Sequence, residues 1–375
     1  MMDTPQGPGA ARTEVRDVIV VGAGLIGAAV AAGLAREGMD TAVLEARRVA
    51  GGATGRSLGL VRAGLVGPYC WAVSVYGRRR AREIWALTAG GRARLVEAAQ
   101  DLGVPIEECG CLALASDEEE AELLWESAKL LREDGFRVSF SLTDPLGRGF
   151  QAVLRSPEDV TVGAARLARA LLAASGVPVH QGSEVYGLEP ISEGIRVWSH
   201  ARTIVCNAVV IAVNGYAPLI DPYLAENVRP SRCLVLAVEP SDKLTLEAPC
   251  TIDQGRGMLC SVPDGRVLLG LAAGHGPDLP GDLLENSSVA LVSTHFPELD
   301  LKRADRWSEV GGFTADGLPL VGQLPGMEQA YFAVGFNGQG LNWAFVAADR
   351  LVKTILDEGE LGVLSADRLR SVEAY

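Results

Sequence analysis

From Asp17 to Ala46 the hydrophobic pattern changes period twice. Val18 to Val21 is a continuous apolar run, as expected of a strand buried on both faces. Gly22, Gly24 and Gly27 follow in GxGxxG spacing, and an Ala-rich run to Arg36 has the length and composition of a helix. A second apolar run, Thr41 to Leu44, ends on Glu45. Strand, glycine turn, helix, strand and acid together form a dinucleotide-binding unit. The glycines permit a tight turn and bring backbone N–H groups close to a pyrophosphate, and the acid can accept hydrogen bonds from ribose hydroxyls. NAD and FAD both carry an ADP ribose, so this unit alone does not choose between them.

Further along, "RRVAGGATGRSLGLVRAGL" reads as a glycine-rich loop, and "VYGRRRAREIWALTAGGRARLVEAAQDLG" is patterned as helix. "GCLALAS" reads as a strand, while "DEEEAELLWESAKLLREDG" has acids in its first turn and a glycine stop, which predicts a helix with a solvated charged face. "VTVGAARLARALLAASGVPVHQGSEVYGLE" returns to helix and strand, and "GIRVWS" and "TIVCNAVVIAV" are strands, the second apolar enough to be central. "CLVLAVEP" and "GMLCSVPDGRVLLGLAA" read as an antiparallel group. The end, "QAYFAVGFNGQGLNWAFVAADRLVKTILDEG", is strand, glycine loop and long helix. The alternation predicts two interleaved domains. A parallel α/β layer takes 17–90, 150–220 and 305–375; a mostly antiparallel sheet takes 91–149 and 221–304; residues 1–16 form a disordered leader.

Composition narrows the class. A chain of 375 residues, 48% hydrophobic, can bury a large core. The net charge of −13 argues against nucleic acid or an anionic membrane as the main partner. The first sixteen residues have no secretory apolar segment, which with the charge leads to an expected cytoplasmic location. Seven dispersed cysteines without a CxxC read as buried small hydrophobes in a reducing compartment, and four histidines without ligand spacing make a metal site an unfavoured reading.

Three further features favour a flavin. "GGATGRSLG" lies directly after the ribose acid, "DGLPLVG" carries Asp316 and Gly317 before an apolar strand, and "VGFNGQGL" places Gly335, Gly338 and Gly340 before a helix. Backbone N–H groups at that helix start can face a flavin C2 carbonyl and stabilise the reduced anionic ring. With these motifs, and "VVIAVNGY" beside them, residues 17–357 resemble the glycine oxidase and sarcosine oxidase type of flavoprotein in the D-amino-acid oxidase superfamily. Asn214-Gly215-Tyr216 and "GFNGQG" are most similar to γ-glutamylputrescine-oxidase-like members.

The resemblance implies a Rossmann-type, glutathione-reductase-like α/β domain with an inserted antiparallel α+β substrate domain, and FAD as cofactor. It assigns Gly22, Gly24, Leu25, Ile26 and Gly27 to the pyrophosphate turn, with Glu45, Ala46 and Arg47 at the ribose. Gly52, Ala53, Thr54, Arg56 and Ser57 would lie by the pyrophosphate and ring, and the Val185 backbone by the adenine. Asn214, Gly215, Gly312, Gly335, Gly338, Gln339, Gly340 and Leu341 complete the cofactor set. Where some relatives tether the flavin by cysteine, this chain has Glu309, so non-covalent FAD is expected.

No second GxGxxG unit is present to receive a nicotinamide, which favours an oxidase or dehydrogenase over a reductase. The implied reaction passes the α-hydride of an amine or amino acid to flavin N5, leaves an imine, and ends with reoxidation by O2 or an electron-accepting partner. Partners are then the small-molecule substrate and the electron acceptor, with no nucleic acid and no membrane; a homo-oligomer is left open. At the substrate the expected residues are Arg56, Arg232, Met258, Asn337 and Gln339. Trp307 and Phe313 are expected at the domain boundary. Relatives carry a lysine or arginine in or after the "GFNGQGLN" loop, where this chain has Asn342 and neutral amides. Glycine, sarcosine and D-alanine are therefore expected to be poor substrates, and a larger one could set its carboxylate at Arg232 or Arg62.

Overall fold

The computed structural model describes residues 14–242, 244, 246–262, 264–271 and 281–370. Strand β1 (Glu14–Val21) lies in the middle of a mixed sheet, parallel both to Thr203–Ile211 and to β2 (Thr41–Glu45). Period-two alternation divides its apolar run between two cores. Val18 and Val20 face the layer of helix α1 (Leu25–Arg36), while Ile19 and Val21 face the opposite side with Ala42 and Leu44. The sheet runs Val185–Ile191, Gly194–Ser199, Thr203–Ile211, β1, β2, Val179–Gln181, and Met327–Val334 adds a further parallel neighbour to Thr203–Ile211. Helices Ala164–Ser175 and Gly340–Ile355 pack on α1.

A second sheet begins at Asp305–Phe313 and Arg229–Val238, continues through Val267–Leu271, Gly257–Ser261 and Cys250–Ile252, and ends at Cys111–Ala115, Ala152–Ser156 and Ser139–Ser141. It is antiparallel apart from the Cys250–Ile252 and Cys111–Ala115 pair. One face buries Leu236, Leu259 and Leu269 against Val292 and Phe296 of the helix Gly281–His295 and the residue after it. The acidic helix at Glu118–Glu133 is closed by reciprocal bonds. The Asp117 carboxylate accepts the Glu120 N–H at 2.8 Å, and the Glu120 carboxylate accepts the Ser116 N–H at 2.8 Å.

Three elements depart from the expected boundaries, two by strand pairing and one by helix packing. Asp305–Phe313 runs along the whole of Arg229–Ala237, so it belongs to the second sheet rather than to the α/β layer. Ala152–Ser156 likewise pairs with Cys111–Ala115. The helix Arg78–Asp101 crosses the boundary set at 90 and packs on Gly340–Ile355, because its buried face, Leu95 and Ala99 among it, needs that apolar surface. The leader is also shorter than expected: Glu14 to Arg16 pair with Ile204 to Cys206, and residues 1–13 lie outside the described residues. Cys70, Cys109, Cys111, Cys206, Cys250 and Cys260 form no disulfide among the described residues. Among the described residues no helix is long and apolar enough to cross a membrane, and no cluster of three metal-ligating side chains is present.

Candidate cofactor and substrate site

β1 ends where the chain must turn sharply. Gly22 has φ +104°, and a Cβ there would meet the Ala212 carbonyl oxygen at 2.7 Å. A Cβ on Gly27 would lie 2.0 Å from the Gly22 carbonyl oxygen, so this glycine lets α1 close onto the turn. α1 therefore starts against a cavity of about 460 Å³ between the two sheets. Gly22, Gly24, Leu25 and Ile26 line it. The Thr54 hydroxyl accepts the Leu25 N–H at 3.0 Å and ties the glycine-rich loop to the helix start.

Glu45, at the end of β2, is held in place from two sides. One carboxylate oxygen accepts the Ala23 N–H and the other the Arg47 N–H, both at 2.9 Å. Remaining lone pairs can accept from ribose hydroxyls. Ser183 and Val185 form the adjoining wall, and the buried Ser183 Oγ has no partner among the described residues. Ala46, Arg47, Gly52, Ala53, Thr54 and Ser57 also line the cavity, with the Arg47 guanidinium 5.2 Å from the centre of the Tyr216 ring. On the far side are Asn214, Gly338, Gln339, Gly340 and Leu341. The last two open the helix Gly340–Ile355, whose first N–H groups have no partner within the helix. An elongated cavity with a ribose acid, a glycine turn at one helix start, an orphaned hydroxyl and a second helix start fits FAD.

Other expected site residues are placed behind the wall. Gly27 lies under the turn. Gly215 and Gly312 pack against Gly311 and Asn214, respectively. Gly335 gives its N–H to Asn214 Oδ1 at 3.1 Å, and Phe336 does so at 3.2 Å. Arg56 donates to the Gly51 carbonyl of its own loop, and its backbone carbonyl accepts the Trp307 indole N–H at 3.2 Å. The buried Asn337 amide is used up locally: Oδ1 accepts the Thr314 N–H at 2.9 Å, and Nδ2 donates to the Gly335 carbonyl at 2.7 Å. Arg232 is exposed and off the cavity wall, because solvent hydrates the guanidinium at that strand position. Arg56, Arg232 and Asn337, expected at the substrate, thus lie off the cavity wall. Trp307 and Phe313 are off the wall as well.

Met258 and Gln339 do face the cavity. In the amide orientation that satisfies both its ends, Gln339 donates to the Gly64 carbonyl at 3.0 Å and accepts the Val66 N–H at 3.2 Å. It thereby braces the loop after Arg62. The Arg62 N–H donates to Asn342 Oδ1 at 2.9 Å, and its side chain is on the cavity wall with no hydrogen bond or ion pair among the described residues. Nearby Asp159 is already paired, to Arg92 at 2.6 Å. Arg62 thus stands at the cavity with no direct ion pair among the described residues, its charge acting on the buried Asp159 carboxyl without contact.

Glu309 is the residue whose place sequence reasoning missed. It was visible only as the substitute for a tethering cysteine, yet it lines the cavity with Oε2 buried and unpartnered. Burial pushes its pKa up to about 7, with the Arg56 charge opposing the rise. Cys260, by contrast, lies off the wall, and burial raises its thiol to about 12, so it stays protonated and inert.

Residues 17–354 match the FAD dependent oxidoreductase family, DAO, and the chain belongs to it. It is an FAD-dependent oxidoreductase. Among curated relatives it is similar to the glycine oxidase of Pseudomonas aeruginosa, 26% identical over 86% of this chain and 90% of that one. It is also similar to one subunit of the opine oxidase of Rhizobium meliloti, 24% identical over 96% of this chain and 99% of the relative. Among solved structures, glycine oxidase from Geobacillus kaustophilus shares the fold with a TM-score of 0.76 at 23% identity, covering 94% of this chain and 98% of that one.

Proposed function

We propose that this protein oxidises the C–N bond of an amine that carries a carboxylate, holding that carboxylate at Arg62. The observation that carries the reading is the unpaired Arg62 side chain on the wall of the FAD-sized cavity. When bound, FAD supplies the acceptor for the hydride of the substrate C–H bond. The protein's own work is position and charge. Asn342 fixes the Arg62 backbone, Gln339 braces the following loop, and Met258 with Leu58 and Leu60 lends apolar surface that excludes water. Neutral amides around the helix start at Gly340 leave Arg62 as the anchor, so the shortest amino acids are poor substrates.

FAD is bound without a covalent link, by Glu45 at the ribose and the backbone of the Gly22–Gly27 turn at the pyrophosphate. Acid precipitation should leave all flavin in the supernatant. Anaerobic bleaching of the holoenzyme across a panel of amines and amino acids tests the function. Expected are bleaching by carboxylate-bearing amines larger than glycine, and a rate that rises with pH as the amine loses its proton. Dependence on NAD(P)H, or bleaching by no amine, would overturn the reading.

Reoxidation by O2 with formation of H2O2 is the simplest completion. A second reading, a dehydrogenase that hands electrons to a partner protein, is favoured by the end-to-end similarity to a component of an opine oxidase. Peroxide formation with air as sole acceptor supports the first, and turnover only with an artificial dye supports the second.

A further inference from the structure

Behind Arg62 lies a second, smaller cavity of about 80 Å³. Arg62 and Gly255 line both spaces, so they form a neck between them. The neck is a built feature. Asp253, Gln254 and Gly255 have φ of +52°, +53° and +90°, three consecutive residues in the left-handed region, two of them not glycine. Such strain persists only where surrounding contacts impose it. Here the buried Asp253 carboxylate is held by Arg256 and by the Ser288 hydroxyl at 2.7 Å. A Cβ on Gly255 would come within 3.2 Å of the Gly67 N, so the turn is pressed against the loop that follows Arg62.

The second cavity is walled by Leu65, Leu114, Leu124 and Leu154, with Thr251 and Gln254 adding polar surface. Two charged groups on its wall are already engaged. Asp159 accepts from Arg92 at 2.6 Å and from the Ala63 N–H at 3.3 Å, and Glu120 accepts the Ser116 N–H at 2.8 Å. Burial raises the Cys111 thiol and the Asp159 carboxyl, and the Arg62 charge opposes both shifts.

We propose that this second cavity is a side-chain subsite: a ligand whose carboxylate pairs with Arg62 passes an unbranched apolar chain through the Arg62–Gly255 neck into it. The proposal rests on the assignment of Arg62 as carboxylate anchor. At about 30 Å³ each the cavity has room for about three water-sized groups, so a chain of about three carbons fills it. An apolar chain there packs against the leucine side of the cavity, and each added methylene should tighten binding by up to about fourfold until the space is full.

The test uses the holoenzyme and ligands that cannot be oxidised. Straight-chain monocarboxylates from acetate to octanoate are titrated while the visible flavin spectrum is followed. Affinity should climb about fourfold per methylene and level off near the third chain carbon. Ala113→Leu, which fills the subsite from the strand Cys111–Ala115, should move the levelling point to shorter chains. Leu124→Ala should move it to longer ones and serves if the first variant fails to fold. FAD content, read by absorbance, certifies that each variant retains the cofactor site. A flat series, no spectral response, or a levelling point unmoved in both variants overturns the subsite. Failure of the function is separable: an enzyme that no amine bleaches, but whose carboxylate series behaves as described, loses the proposed reaction and keeps the subsite.

Discussion

At the dinucleotide end of the cavity, the groups that face inward come largely from one contiguous unit, β1, α1 and β2, and are bonded to one another before any ligand arrives. Glu45 already accepts two N–H groups, and Thr54 already holds the start of α1. At the opposite end, Arg62, Met258, Glu309 and Gln339 come from four separate segments, and two of them carry uncompensated polarity: Arg62 without an ion pair, Glu309 with a buried oxygen unpartnered. The first end is stiff and generic to dinucleotides. The second stores electrostatic cost that a ligand of complementary charge or hydrogen bonding can relieve, and specificity is set there.

The sharpest way to break this contrast is at Glu45. Glu45→Ala removes the ribose acceptor along with two local bonds, and hydrogen bonds to a charged group are worth about 1.5–3 kcal/mol each. FAD affinity should fall by two such bonds, about 3–6 kcal/mol, measured as flavin lost on ultrafiltration. Unchanged retention would mean that the dinucleotide end is not organised around this acid.

Glu309 tests the other end by pH. Its folded pKa is raised to about 7 by burial, so the folded chain holds a proton that the unfolded chain has released. Stability from this group is full below the ordinary glutamate range and is lost as pH rises towards about 7, an effect on the order of 3 kcal/mol in the flavin-free protein. Glu309→Gln should flatten the unfolding midpoint between pH 5 and pH 8 relative to the unmodified chain, as followed by denaturant titration. An equal fall in both proteins would place the titrating group elsewhere.

Next comes the choice between two arginines. Arg62→Ala should lower kcat/KM for carboxylate-bearing amines by about 10- to 100-fold, the loss of a charge-assisted bond, with a smaller effect on amines lacking a carboxylate. Arg232→Ala, at an exposed position, should leave both near the wild-type value. Steady-state kinetics of the two variants on matched substrates decides it. The smallest effect is at Gln339. Removing its side chain frees the Gly64 carbonyl and the Val66 N–H, and Gln339→Ala should cost about 1–2 kcal/mol of stability and raise KM more than it lowers kcat.

Much of this molecule is written in local order. A strand buried on both faces, glycines at fixed spacing and an acid ending the next strand are each determined within a few residues, because backbone sterics and period-two burial act at that range. β1, α1 and β2 therefore stand where their pattern puts them, and so does the acidic helix capped by Asp117. Sheet membership was not local: Asp305–Phe313 has no residue that reveals its partner, and only pairing with Arg229–Ala237 assigns it. The same holds for charge. Arg62 and Arg232 are both arginines after apolar or small residues, yet tertiary packing leaves one at the cavity and the other in water. Whether a charged side chain is compensated depends on groups brought from distant segments, as Arg92 is brought to Asp159 and nothing comparable to Arg62 among the described residues. The turn chemistry that can hold a dinucleotide was thus determined by the sequence alone. The uncompensated groups that choose a substrate were decided by the fold, since desolvation and pairing are properties of a three-dimensional neighbourhood.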